Sequence, residues 1–300
     1  MSTIRRSRSG LVMEVFVSPQ VATSIDEVRR HVAVARQRGD RTGLVPTMGA
    51  LHGGHVSLIR AARAECGFVV VSIFVNPTQF GPNEDLARYP RPFESDLATS
   101  AAEHVDLVFA PDAATMYPPG FRTFVEIREL QDALCGAARP GHFRGVATVV
   151  LKLFNIVQPD VAYFGHKDAQ QARIIQQLVR DLDVPVQVRV CPIVREPDGL
   201  ALSSRNQYLN AEQRNKATVL HRALQEARAL VESGETDQTV VQRALATLIE
   251  LTPGAVLEYA EVVDAESLRP VDRLEGRILL AVAVRFGTTR LIDNELIDLG

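Results

Sequence analysis

Residues 68–75 read Phe-Val-Val-Val-Ser-Ile-Phe-Val, a continuous apolar run without polar alternation. A strand of that kind is covered on both faces, so the chain must pack layers on either side of a sheet. The neighbouring segments supply them. Residues 44–46 end a short strand, and 55–65 puts Val56, Leu58, Ile59 and Ala62 at helical spacing. Residues 105–110 read as a strand closed by Pro111, 145–157 as a helix, 161–164 as a strand, 168–181 as a helix and 186–190 as a strand. Strands separated by helices predict an α/β fold with a doubly wound parallel sheet.

The pattern changes after Val194. Two long helical segments, 211–233 and 237–251, precede three strands at 256–263, 277–285 and 289–293. Helices followed by strands without alternation predict a smaller C-terminal α+β domain. The chain therefore divides into 1–12, 13–194 and 195–300. The first stretch carries Arg5, Arg6 and Arg8 among serines and lacks the apolar core of a secretory signal. It is expected to be a disordered extension, and Met13, which opens the patterned segment, is an alternative start.

Composition narrows the function classes. In 300 residues there is no apolar run long enough to span a bilayer, so no membrane partner is expected. A net charge of −3 gives no sign of a nucleic-acid binder. Cys66, Cys135 and Cys191 are scattered and form no CxxC pair. That argues against a disulfide framework or zinc site and for a reducing, cytoplasmic location. Of 33 basic residues only Lys152, Lys167 and Lys216 are lysine, which makes a lysine inside a motif conspicuous.

Ligands of open parallel sheets bind outside the carboxyl ends of the strands. Four unusual segments fall there: 46–55 with Gly49, Gly53, Gly54, His52 and His55; 76–80 with Asn76 and Gln79; Gly165-His166-Lys167-Asp168; and Leu202-Ser203-Ser204-Arg205. Glycines before a helix start let a ligand approach the backbone, where free N–H groups and the dipole favour phosphate. The dipole also favours neutral, hydrogen-bond-donating histidines. A plain βα turn with one capping histidine would look the same. Lys167 suits phosphate oxygens, although Asp168 beside it also fits a solvated helix cap. Two serines and Arg205 suit a polyphosphate, or an ordinary exposed connector. The amides of Asn76 and Gln79 suit a hydroxyl or carboxylate, or turn capping. Asp85, Glu94 and Asp96 lie in a proline-punctuated loop expected at 84–100, with Asp96 a candidate metal ligand. There is neither a GxxxxGK[ST] loop nor a GxGxxG fingerprint.

Taken together, LVPTMGALHGGH (44–55), VSIFVNPTQFGPNEDLARYPR (71–91), RPGHFRGVATVVLKLFNIVQPDVAYFGHKDAQQ (139–171), VREPDGLALSSRNQYL (194–209) and FGTTRLIDN (286–294) resemble the pantothenate synthetase (pantoate–β-alanine ligase) family. The resemblance is continuous from about residue 15 to the end. The HxGH loop also resembles the HIGH-type signature of nucleotidylyltransferase-like proteins. What it implies is a Rossmann-like fold with ATP and pantoate bound by 13–194. The reaction implied is ATP-dependent condensation of pantoate with β-alanine through a pantoyl adenylate, releasing AMP and pyrophosphate. It further implies a homodimer and Mg²⁺.

Residue by residue, the resemblance makes His55 the proton donor, with His52, Lys167 and Arg205 as further catalytic groups. Met48, Gly49, Ala50, Leu51, His52, Gly53, Gly54, His55, Gly165, His166, Lys167, Asp168, Val194, Leu202, Ser203, Ser204 and Arg205 become ATP contacts. Gln79 and Gln171, with Asn76, become pantoate and β-alanine contacts. The chain departs from the family pattern at Gly53, Ser95, Arg144, His166 and Leu202. His166 beside Lys167 is expected to raise the potential at the phosphates. Two other readings are a nucleotidylyltransferase with a different acceptor and an arginine-rich RNA-binding protein. The Gln79–Gln171 pair speaks against the first, and dispersed arginines without an RNP-like aromatic motif against the second.

Overall fold

The computed structural model describes residues 18–82 and 84–300. The disorder expected over 1–12 and the start at Met13 fall outside the described residues. The first sheet has six parallel strands, β1 (Gln20–Ala22), β2 (Thr42–Thr47), β3 (Phe68–Ile73), β4 (Leu107–Phe109), β5 (Val161–Gly165) and β6 (Gln187–Cys191), in the order β1-β4-β3-β2-β5-β6. Between them run α1 (Ile25–Gln37), α2 (Gly53–Glu65), α3 (Phe93–Ala102), the short α4 (Ala113–Met116) and α5 (Leu134–Ala138), α6 (His142–Val157) and α7 (Ala169–Asp181).

Successive residues of each strand point to opposite faces. Leu44, Val70, Leu107, Phe109, Ala162 and Phe164 enter a core with residues of α1, α6 and α7. Their neighbours Val45, Val69, Val71, Val108, Val161 and Tyr163 pack with Leu58, Ile59 and Ala62 of α2. This is the two-sided cover that the run at 68–75 demands. From β2 the chain proceeds towards β3, and from β5 towards β6 on the other side, although β2 and β5 are paired neighbours. Strand order reverses there, which opens a crevice at their carboxyl ends.

The rest of the chain forms α8 (Ala211–Lys216), α9 (Val219–Glu232), α10 (Gln238–Glu250) and an antiparallel sheet of β7 (Ala255–Asp264), β8 (Arg277–Phe286) and β9 (Thr289–Asp298). Ile278, Leu280, Val282 and Val284 of β8 pack with α9 and α10. The alternate residues Leu279 and Ala281 join the core of the parallel sheet. The second sheet is therefore seated against the first unit, and β8 is buried on both faces.

Three segments differ from the predicted elements. The segment 211–233 breaks at Ala217 and Thr218, where the Thr218 hydroxyl donates to the Asn215 carbonyl (2.8 Å) and competes with the helical ladder. The loop expected over 84–100 gives way to α3 from Phe93, because Pro90 and Pro92 precede the helix and leave its interior free. The pair β1–α1 has no counterpart among the predicted elements, although Ser24 and Glu27 form a reciprocal capping box at its start.

Candidate active site

The crevice beyond β2 and β5 holds a cavity of about 220 Å³ lined by Met48, His52, Gly54, His55, Gln79, Lys167, Asp168, Gln171, Val194 and Leu202–Arg205. A larger cleft of about 780 Å³ continues from Lys167, Gln171 and Arg205 to the second sheet. All four segments singled out in the sequence meet on this rim.

The loop after β2 is built to present two imidazoles. Thr47 donates its hydroxyl proton to the Ser72 carbonyl (2.6 Å) and accepts from the Gly49 N–H (3.1 Å). Gly49 has φ +80°, and a Cβ there would lie 2.8 Å from Asp96 Oδ2. His52 is the N-cap of α2: its Nδ1 accepts from the Gly54 N–H (3.2 Å), while His55 Nδ1 accepts from the His52 N–H (3.3 Å). Two histidines thus take the reciprocal roles usually filled by a hydroxyl and a carboxamide or carboxylate. An Nδ1 that accepts must be unprotonated, so each neutral ring carries its proton on Nε2 as a donor. Burial, with the Lys167 charge next, lowers the His52 pKa to about 4. Burial, with His52 next, lowers that of His55 to about 3.

Lys167 stands at the end of β5 with its Nζ 4.0 Å from Asp168 Oδ2. Ser203 Oγ accepts from the Arg205 N–H (3.3 Å), and Ser204 Oγ lies 3.3 Å from the Tyr89 hydroxyl. The Arg205 guanidinium grips both oxygens of Asp85 (3.1 and 3.2 Å). The loop leading to α3 is thereby tied across the cleft. Gln79 is buried against Met48, whose Sδ accepts from its Nε2 at 3.0 Å. Gln171 lines both cavities.

Several candidate residues are placed otherwise than expected. Asp96, the candidate metal ligand, is buried and lines neither cavity: its two oxygens accept from the Ala50 (2.8 Å) and Leu51 (2.7 Å) N–H groups, and it braces the histidine loop from inside. Among the described residues no three His, Cys, Asp or Glu side chains gather to hold a metal ion. Gly49, Ala50, Leu51 and Gly53 line neither cavity, and the N–H groups of the first three are taken by Thr47 and Asp96. The amide of Asn76 is committed inside the protein, donating to Gln79 Oε1 (3.1 Å) and the Gly145 carbonyl (3.1 Å) and accepting from Tyr117 (2.8 Å). It orients Gln79 and does not reach for a ligand. The contact needs a glycine at 145, where a Cβ would sit 2.4 Å from the Thr78 carbonyl oxygen. His166 lines neither cavity, and its ring packs towards Asn294 and Glu295 of β9, where burial lowers its pKa. Its expected effect on the phosphate potential loses its geometric basis.

Arg139 and His142 are absent from the sequence-based candidates. His142 Nδ1–H donates to the Gln79 carbonyl (2.8 Å), and its Nε2 receives Arg139 (3.0 Å), which also holds Glu84 (2.7 and 2.5 Å). Burial, then the Arg139 charge, lowers the His142 pKa to about 4. A histidine opening α6 directly after Pro140-Gly141, much as His52 opens α2, is the signal that could have marked it.

His52, His55 and His142 are neutral in the fold and gain a proton on unfolding below their ordinary value of about 6.5. Their contribution to stability is complete above that pH and is lost as the pH falls towards the folded values near 3–4. Thermal unfolding at pH 5 should therefore take up protons and show a lower Tm than at pH 7.5, and replacing His55 with glutamine should reduce the proton uptake.

Comparison with known proteins identifies relatives of the chain along nearly its whole length. The pantoate–β-alanine ligase family model matches residues 20–296. The pantothenate synthetase of Moorella thermoacetica is 55% identical over 279 residues, 93% of this chain and 99% of the relative. That of Acetivibrio thermocellus is 50% identical over the same span. Among solved structures, pantothenate synthetase from Thermus thermophilus superposes with TM-score 0.88 at 46% identity, covering 92% of this chain and 98% of that one. Pantoate–β-alanine ligase from Francisella tularensis, complexed with β-γ ATP and β-alanine, gives TM-score 0.73 at 36% identity, covering 93% and 97%. The extent of these matches places the chain in the pantoate–β-alanine ligase family.

Proposed function

We propose that this ligase joins pantoate to β-alanine at the expense of ATP, through a pantoyl adenylate formed in the smaller cavity. The observation that carries the reading is the pair of fixed Nε2–H donors of His52 and His55 beside Lys167, in the same cavity as Gln79 and Gln171. A pantoate carboxylate oxygen attacks the α-phosphorus, and the bond to the β-phosphate oxygen breaks as pyrophosphate leaves. Negative charge grows on the phosphoryl oxygens in that step, and pre-set donors and a cation stabilise it without reorganising. His55 is assigned the proton donor and Lys167 the cation, with His52 beside them.

Ser203, Ser204 and Arg205, with Gly54, Gly165, Asp168, Val194 and Leu202, are assigned to the nucleotide. Gln79 and Gln171 are assigned to pantoate, with Asn76, Arg139 and His142 holding Gln79 in place. The β-alanine amine, having lost a proton, then attacks the acyl carbon and AMP departs; this step needs chiefly positioning in a closed site. Mg²⁺ enters as the counter-ion of ATP, part of the substrate, since Asp96 is spent on loop amides. The larger cleft suits β-alanine entry and pyrophosphate departure.

The same reading includes a homodimer, a cytoplasmic location and a domain boundary at residues 194/195. Free thiols at Cys66, Cys135 and Cys191 accord with a reducing compartment. The test is a discontinuous assay with ATP, pantoate and β-alanine, each omitted in turn. One AMP is expected per pantothenate, with no AMP released when pantoate is missing. AMP transfer to another acceptor in place of pantoate would refute the assignment.

A further inference from the structure

We propose that Asp293 and Asn294, adjacent on β9, are positioning residues that set Lys167 against the segment Leu202–Arg205. The inference rests on the reading of the site given above and adds to it a part played by the second sheet. Asn294 is only 4% exposed, and its Nδ2 donates to the carbonyl oxygens of His166 (3.0 Å) and Lys167 (2.9 Å). Two acceptors on one side admit only the NH₂ group, so the amide has one orientation. In that orientation its Oδ1 faces the side chain of His166, and that contact raises the ring's pKa against the effect of burial. The segment it grips is one short 3₁₀ turn, His166–Asp168, with too few bonds of its own to fix where Lys167 points.

The next residue holds the other side. Asp293, 2% exposed, accepts from the Asn294 N–H (2.9 Å) and binds Arg195 through both oxygens (2.6 and 3.0 Å). Arg195 also donates to the Gly199 carbonyl (3.0 Å). Between Val194 and Leu202 the chain makes a narrow hairpin, closed by Glu196 N–H to Leu200 O (2.8 Å) and Leu202 N–H to Val194 O (2.9 Å). Its second arm runs straight into Ser203, Ser204 and Arg205. One dipeptide of the antiparallel sheet therefore grips both backbone segments that face the nucleotide, one leaving β5 and one following β6. The parallel sheet alone leaves their spacing unfixed, because both segments begin where its ladder ends.

The test uses the full-length chain with Asn294→Ala and Asp293→Asn. Each variant is assayed by ATP–pyrophosphate exchange, pantoate titration and thermal melting. We expect the exchange rate to fall by about tenfold to a hundredfold, the scale of a small misplacement at a reacting centre, and the KM for ATP to rise, with pantoate affinity unchanged. A merely structural part for the pair would lower Tm and weaken pantoate and ATP in proportion, and that result overturns the proposal. An unchanged ATP KM in either variant also overturns it. Should Asp293→Asn fail to fold, Asn294→Ala decides alone. Absence of exchange in the unsubstituted protein would count instead against the proposed function.

Discussion

Replacing His55 with alanine is expected to slow adenylate formation by about 10²- to 10³-fold, the usual cost of removing one hydrogen-bond donor that stabilises developing charge. The expectation follows from how the ring is held. Its Nδ1 is occupied by the His52 N–H, so the proton can only sit on Nε2, and burial keeps the ring neutral across the physiological range. A neutral donor stabilises growing charge on a phosphoryl oxygen without having to lose a proton to become competent. The substitution also removes half of the helix cap, which costs about 0.5–2 kcal/mol of stability. Activity must therefore be measured on protein shown by melting to be folded. Glutamine at 55 gives a second reading, because its amide can both accept from the His52 N–H and donate. A single-turnover rate near that of the unsubstituted protein in folded His55→Ala would remove His55 from the chemistry.

The parts of the molecule legible in the sequence are those written in local pattern. The run at 68–75 implies a doubly covered strand because burial on both faces leaves no polar alternation, and β3 is buried accordingly. The histidine loop was legible because strand, glycines and helix start are contiguous, so its place at the sheet rim follows from topology alone. What stayed hidden depends on contacts between distant residues. Nothing near Asp96 in sequence tells that its carboxylate reaches amides 46 and 45 residues away. Asn76 and Gln79 look alike as loop amides and both line the cavity, yet the Asn76 amide is committed to Gln79, to Tyr117 and to Gly145, 69 residues on. His166 and Lys167 are adjacent in a single turn, so their side chains diverge, and the sequence does not say which one faces the ligand. The clamp at Asp293 and Asn294 joins segments separated by 98, 127 and 128 residues.

Replacing Lys167 with alanine is expected to cut ATP–pyrophosphate exchange by two to three orders of magnitude, since a fixed charge-stabilising group at a developing oxyanion commonly supplies about 3–4 kcal/mol. Lys167 meets the requirements for such a group. It is half-buried at the rim, opposite Ser203 and Arg205, and its backbone is clamped from β9. Of the other cations nearby, Arg205 is held by Asp85 and Arg139 by Glu84, so neither is free to replace it without breaking a paired contact. An arginine at 167 would retain charge but present a planar fork on a bulkier head, and only partial recovery is expected. Exchange isolates the first half-reaction. Label should pass from pyrophosphate into ATP with pantoate present and β-alanine absent, because the groups around the cavity stabilise phosphoryl transfer and none is required to activate an amine first. If exchange in the unsubstituted protein needs β-alanine, pantoate and amine react in one concerted displacement and the adenylate is not an intermediate. If exchange proceeds without β-alanine but Lys167→Ala leaves its rate intact, the charge that stabilises the phosphoryl group comes from elsewhere, and Arg205 released from Asp85 becomes the group to replace next.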